Sequence, residues 1–229
     1  DVMSKYLSKT WVVCLLACVS CFLWGSAFPG VKIGYEWFQI ASEASAAQIV
    51  FAGCRFFLAG IMVIFFGSLS SGRFLRPEGI QWKHAAVISL FQTILQYILF
   101  YIGLAHTAGT KASIIVGANV FIAILTASLI FRQEKLTGEK ILGCLVGFAG
   151  VVLINMTPGG ISMHVSFMGE GLVLLSTVAY AFSSVIMKDY SKTDHPVMLS
   201  GYQVFIGGIV MIAVGTAMGG SIRIPSVKA

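Results

Sequence analysis

Apolar residues in this chain run in long blocks broken by short polar segments, with no regular alternation of apolar and polar positions. A hydropathy window of about 19 residues isolates seven such blocks, at 11–32, 46–69, 85–106, 112–131, 140–156, 169–187 and 197–219. Most are near the roughly 20 residues that a helix needs to cross a bilayer, the fifth being the shortest. Each is expected to be α-helical, because a backbone in lipid must satisfy its own hydrogen bonds and the dyad pattern of a transmembrane barrel is absent. The pattern therefore predicts an all-α integral membrane protein, a bundle of transmembrane helices with no soluble domain in the segments 33–45, 70–84 and 157–168.

Composition strengthens this reading. With 57% hydrophobic and 10% charged residues in 229, and a mean hydropathy of +0.90, the chain is too apolar for a water-facing surface. The first block follows Lys5 and Lys9 and contains Cys18, the arrangement of a secretory or lipoprotein signal, but its apolar run continues well beyond that cysteine. All five cysteines fall within apolar blocks, which argues against a disulfide framework. Cys14, Cys18 and Cys21 share a helical face, with no histidine or carboxylate nearby to complete a metal site.

The net charge of +6 would suggest nucleic acid in a soluble protein, but here the positive residues follow the blocks. Lys5, Lys9, Arg73, Arg76, Lys83, Arg132, Lys135, Lys140, Lys188 and Lys192, ten of the fifteen lysines and arginines, fall on one set of alternate loops. The other set holds Lys111, with Arg223 and Lys228 in the tail. The positive-inside rule then puts the amino terminus in the cytoplasm of a cell inner membrane. The expected partners are the lipid bilayer and a small-molecule substrate, with no nucleic acid, no cofactor and no metal, and the oligomeric state is left open.

Self-comparison finds FAGCRFFLAGIMV (51–63) matching LSGYQVFIGGIVM (199–211) without gaps, with Gly53/Gly201, Phe57/Phe205, Gly60/Gly208 and Ile61/Ile209 identical. A weaker match pairs Ser20 with Ser176, Trp24 with Tyr180 and Lys32 with Lys188. Together these predict a five-helix unit that restarts at the sixth span. An odd number of crossings returns the chain on the opposite side, so the second unit must be inverted, as in many secondary transporters. Residues 1–160 are expected to form the first repeat and 165–229 the first two helices of the second, seven of an expected ten spans.

The chain resembles the EamA-type branch of the drug/metabolite transporter superfamily. The resemblance rests on WGSAFPGVK (24–32), RFFLAG (55–60), LFYIGLAHTAGTKASII (99–115) and, most specifically, FRQEKLTGEKILGCLVGFAGVVLI (131–154). It implies ten helices in two inverted repeats and a permease or exporter of amino acids, metabolites or drugs. Many members carry proline in the middle of the fourth helix, where this chain reads Gly117-Ala118-Asn119-Val120, so the resemblance does not extend to substrate.

Polar groups at membrane depth are the candidates for chemistry, since each costs free energy without a partner or water. Ser89, Gln92, Thr93 and Gln96 are expected to form a single stripe on the third span. Ser20, Trp24 and Phe28 on the first, Asn119 on the fourth, and Ser176, Tyr180 and Ser183 or Ser184 on the sixth complete the candidate cavity. These groups either line a substrate path or tie helix to helix, an interaction worth about 0.6 kcal/mol on average in membranes. Arg55 lies inside the second span, at a cost of about 3 kcal/mol on insertion scales, and either attracts an anion or binds neighbouring carbonyls. Lys32 is expected to snorkel to the interface. Gly143, Gly147 and Gly150 are expected to form a close-packing face on the fifth span. Glu134 is expected to pair with neighbouring loop charges, and Asn155-Met156-Thr157 matches a glycosylation sequon.

No carboxylate lies deep in a span, Glu170 standing only at the entrance to the sixth. Coupling by a buried acid in further helices and passive alternating access remain equal readings. A seven-helix receptor or sensor is disfavoured by the cytoplasmic amino terminus and by the lack of a lysine in the seventh span for a retinal Schiff base. A membrane enzyme is disfavoured because paired carboxylates, a Ser/His pair and a metal cluster are missing. A nucleotide-sugar transporter has no motif in its favour.

Overall fold

The computed structural model describes residues 9–41, 44–132, 136–155 and 166–222, and among them all regular structure is helical. Seven helices follow the seven apolar blocks: α1 (Thr10–Trp37), α2 (Ser45–Ser70), α3 (Gln81–Leu104), α4 (Gly109–Ile130), α5 (Gly138–Asn155), α6 (Phe167–Tyr190) and α7 (Pro196–Ala217). Five of them, α2, α3, α4, α6 and α7, are long and apolar enough to cross a membrane. Large apolar side chains such as Leu58, Phe65, Leu129 and Leu142 are exposed, the inversion of a water-soluble surface expected when lipid is the solvent. The protein is thus a multi-pass helical membrane bundle.

The chain forms two compact units, one comprising residues 1–41 and 222–229 and the other Ser42–Ser221. Within the first, α1 is a single long helix. The second is organised around α2 and α7, which pack along their length. Glycines bring the two backbones together. A methyl group added at Gly53 would stand 2.8 Å from the Ile212 nitrogen, one at Gly201 2.8 Å from the Ile64 side chain, and one at Gly60 2.7 Å from the Phe205 Cα; one at Gly208 would strike the Phe57 nitrogen. Small residues at such crossings are how membrane helices gain van der Waals contact when lipid supplies no hydrophobic drive.

These contacts are reciprocal. Gly53 meets Ile212 while its sequence counterpart Gly201 meets Ile64, and Gly60 meets Phe205 while its counterpart Gly208 meets Phe57. Each pair of numbers sums to 265, so the helices run antiparallel. Phe57 and Phe205, counterparts of one another, stack with ring centroids 5.1 Å apart. Antiparallel packing alone makes the numbers repeat in this way; what the sequence likeness adds is that glycine stands at both equivalent positions of each crossing, Gly53 with Gly201 and Gly60 with Gly208.

α3 lies against α2, α6 and α7, and α6 lies against both α3 and α4. Gly103 of α3 allows the close approach of α6: a methyl group there would stand 2.9 Å from the Gly169 carbonyl oxygen. Phe182 of α6 packs between Phe91 of α3 and Phe131 beyond α4, at 5.0 and 5.1 Å. The glycines of α5 behave differently from expectation. Added methyl groups at Gly143, Gly147 and Gly150 would meet nothing within 4 Å, so this face packs against no described residue.

Candidate functional site

The site is built on a departure from α-helical geometry. Residues Ser89–Leu95 of α3 form a π-helical stretch, whose wider i→i+5 turn rotates successive side chains less than an α-helix does; such turns occur often at functional sites. The single polar stripe expected from α-helical spacing is thereby divided. Ser89 and Thr93 are buried and face α7, where both stand against Gly207, and the Thr93 hydroxyl donates to Gln203 Oε1 at 2.8 Å. Gln92 and Gln96 remain half-buried, and the Oε1 atom of each is buried without a hydrogen-bond partner.

α4 supplies a second break. Ala118 leaves the helix with ψ near −5°, its N–H shared between the Ile114 and Ile115 carbonyls at 3.2 and 3.1 Å. The interruption therefore arises without the proline that many related sequences place here; the tightened turn at Gly117-Ala118 achieves it. Asn119 follows directly, with a buried Oδ1 that has no partner. An unpaired buried amide costs about 1–3 kcal/mol in typical protein measurements, and here three occur at mid-helix positions.

Ser89 Oγ is likewise buried with no hydrogen-bond partner among the described residues, whereas the candidate hydroxyls of α1 and α6 are occupied. Ser20 donates to the Leu16 carbonyl at 2.8 Å and Ser176 to the Val173 carbonyl at 2.6 Å. Ser183 and Ser184 both donate to the Tyr180 carbonyl. Each bonds back onto its own helix. The side chains of Trp24, Phe28, Lys32 and Asn155, and residues Lys5, Glu134, Lys135, Met156, Thr157, His164, Arg223 and Lys228, lie outside the described residues.

Arg55, half-buried on α2, has its guanidinium carbon 5.2 Å from the centroid of the Phe56 ring. That ring meets Tyr97 of α3 edge-on at 4.6 Å, and Tyr97 lies 6.1 Å from Tyr101. The structure thus gathers α2 and α3 around one charge, a cluster that adds Tyr97 and Tyr101 to the residues named from sequence. Tyrosines at membrane depth are unremarkable by composition, which is why their spacing carried no signal.

Two polar ties were also invisible in the sequence. At the end of the bundle that holds the start of α3, His84 Nδ1 lies 2.6 Å from Asp194 Oδ2, Gln81 donates to Asp194 Oδ1 at 3.2 Å, and the His84 ring stacks on Tyr190 at 3.9 Å. At the opposite end Lys111 Nζ lies 2.8 Å from Glu170 Oε1. Thr107 donates to the same oxygen at 2.8 Å, and the Ser166 N–H donates to Glu170 Oε2 at 2.7 Å. α6 is therefore fastened near both of its ends. No group of three or more metal-binding side chains occurs among the described residues.

Residues 11–156 match the EamA-like transporter family. The chain is 25% identical over 205 residues to an uncharacterized transporter of Archaeoglobus fulgidus, covering 88% of this chain and 65% of that protein. It is 27% identical over 216 residues to the uncharacterized transporter YvbV of Bacillus subtilis, covering 92% and 65%. It is also 27% identical over 197 residues to a chloroplastic WAT1-related protein of Arabidopsis thaliana, covering 84% and 45%. The chain thus spans less than two thirds of the length of each of these relatives, and no solved structure matches it. A family match over more than half of the chain, on a bundle of apolar helices, carries the conclusion that this chain belongs to the EamA-like transporter family, of the drug/metabolite transporter type.

Proposed function

We propose that the full-length protein moves a small metabolite, amino acid or drug across the cell inner membrane by alternating access between two five-helix repeats of opposite orientation. Residues 1–160 form the first repeat and 165–229 open the second, with the amino terminus in the cytoplasm. The observation that carries this reading is the reciprocal α2–α7 seam. The two segments that match in sequence, 51–63 and 199–211, are the ones that cross, antiparallel and with glycine at equivalent positions of both; a two-fold axis in the membrane plane requires such a crossing, and substrate sites in such transporters sit where the repeats face one another.

The carboxamides of Gln92, Gln96 and Asn119, whose oxygens have no partner among the described residues, supply the substrate contacts, with Ser176 and Tyr180 of α6 as further positions. A carboxamide carries both donors and an acceptor, so it serves a polar substrate while requiring no charge of its own. The ties at either end of α6 act as the two closures: release of one with retention of the other would open the path to one side only.

A metabolite-efflux screen of cells expressing the full-length gene, run beside Gln92→Ala and Gln96→Ala variants, tests the proposal. Both variants should insert normally and lose transport of whichever compound the parent exports. Unchanged transport in both would remove the cavity assignment.

A further inference from the structure

We propose that Arg55, flanked by the aromatic rings of Phe56 and Tyr97, forms a binding site for the carboxylate of a small organic acid. The inference rests on the transporter reading above and assigns that protein's substrate class.

Arg55 stands ten residues into α2, or about 15 Å from its amino end at 1.5 Å per residue, well inside a hydrocarbon layer of about 30 Å. A guanidinium cannot shed its proton at any accessible pH, and a charge at that depth persists only with a partner or water. Among the described residues it has no carboxylate partner: its one direct contact is the face of Phe56 at 5.2 Å, a weak interaction that leaves its N–H groups free to donate. Tyr97 of α3 stands across the Phe56 ring, edge-on at 4.6 Å, so that a phenol joins the same aromatic wall. A cation with a planar fork of donors on such a wall matches the two coplanar oxygens of a carboxylate.

The surroundings select among anions. Phe56 and Tyr97 wall the charge with aromatic surface, which suits an acid with an organic body and disfavours inorganic phosphate, whose greater charge is costlier to dehydrate. The depth of Arg55 also removes it from lipid headgroups. The contrast with Lys111 is instructive: that cation is already neutralised by Glu170 at 2.8 Å, and so has no charge to offer a ligand.

The test is ligand protection of the purified full-length protein against thermal unfolding, using benzoate and hexanoate, their neutral amides, and inorganic phosphate. The acids should raise the midpoint of unfolding while the amides and phosphate leave it unchanged. Arg55→Gln should weaken the acids by about tenfold or more, the scale of losing a charge-assisted hydrogen bond, and Tyr97→Phe by a smaller factor. Arg55→Lys, which keeps the charge, should retain the preference for acid over amide at reduced affinity; it decides the matter if Arg55→Gln fails to fold. Equal protection by acids and amides, no protection by any acid, or undiminished acid binding in Arg55→Gln overturns the proposal, as does a folded Arg55→Lys that no longer distinguishes them. Because the readout is binding, carboxylate binding without flux in proteoliposomes would overturn the transport reading and leave this site standing. Flux of a compound lacking a carboxylate, indifferent to Arg55→Gln, would do the reverse.

Discussion

The α2–α7 seam and the polar flank of α3 are built from opposite materials. Along the seam, glycines bring backbone onto backbone, and the buried Thr93 hydroxyl is matched to Gln203 at 2.8 Å, while Ser89 Oγ beside it is buried with no hydrogen-bond partner among the described residues. On the flank of α3, within one turn of Thr93, Gln92 and Gln96 carry buried oxygens that nothing satisfies. A scaffold gains by filling space and pairing every polar atom. A transport path has to leave groups unpaired so that a passing solute can pair with them. On the proposed transport reading, the glycine seam holds the bundle together and the flank with the two unpaired carboxamides meets the cargo.

The sharpest way to break this contrast is to add volume to the seam. Gly208→Leu or Gly53→Leu should destabilise by about 3 kcal/mol or more, since the obstruction is backbone and cannot move aside, and the expected result is loss of monodisperse protein on size-exclusion chromatography. Next in size is Asp194→Asn, which leaves the His84 ring and Gln81 without their charged acceptor. A loss of about 2 kcal/mol is expected, measured as a lower midpoint of thermal unfolding in detergent. Thr93→Val, which strands Gln203 on the scaffold side, should cost about 0.6 kcal/mol, the average for hydrogen bonds between membrane helices. Gln96→Ala should leave stability within about 0.5 kcal/mol, because it removes an atom that had no partner, while transport by the full-length protein falls. Lys192→Ala, breaking the exposed pair with Asp189, should change neither property measurably. Equal stability losses for Thr93→Val and Gln96→Ala would erase the distinction between the two faces.

Much of the fold could be read before any coordinates. The seven apolar blocks coincide with the seven helices because length and hydropathy are local properties, and lipid leaves the backbone few alternatives. The pairing of residues 51–63 with 199–211 was visible as sequence likeness, and its members then turn out to touch one another. The polar stripe on α3 was legible only in part. Helical spacing placed Ser89, Gln92, Thr93 and Gln96 together, and the π-helical turn, which no residue preference announces, separated them. The ties of His84 to Asp194 and Lys111 to Glu170 were out of reach, since they join positions 110 and 59 residues apart and neither histidine nor lysine spacing foretells a partner at such distance. The aromatic cluster around Arg55 was hidden for the same reason: the arginine announced itself by its cost, and its company did not.

The most direct test is thiol accessibility along α3. In the full-length protein freed of Cys14, Cys18, Cys21, Cys54 and Cys144, single cysteines at positions 89, 92, 93 and 96 would be exposed to a membrane-impermeant maleimide. Gln92→Cys and Gln96→Cys should react, and transported substrate should slow them, while Ser89→Cys and Thr93→Cys stay protected against α7. Labelling at 89 and 93 with silence at 92 and 96 would put the water-filled path on the wrong side of the helix and contradict the account.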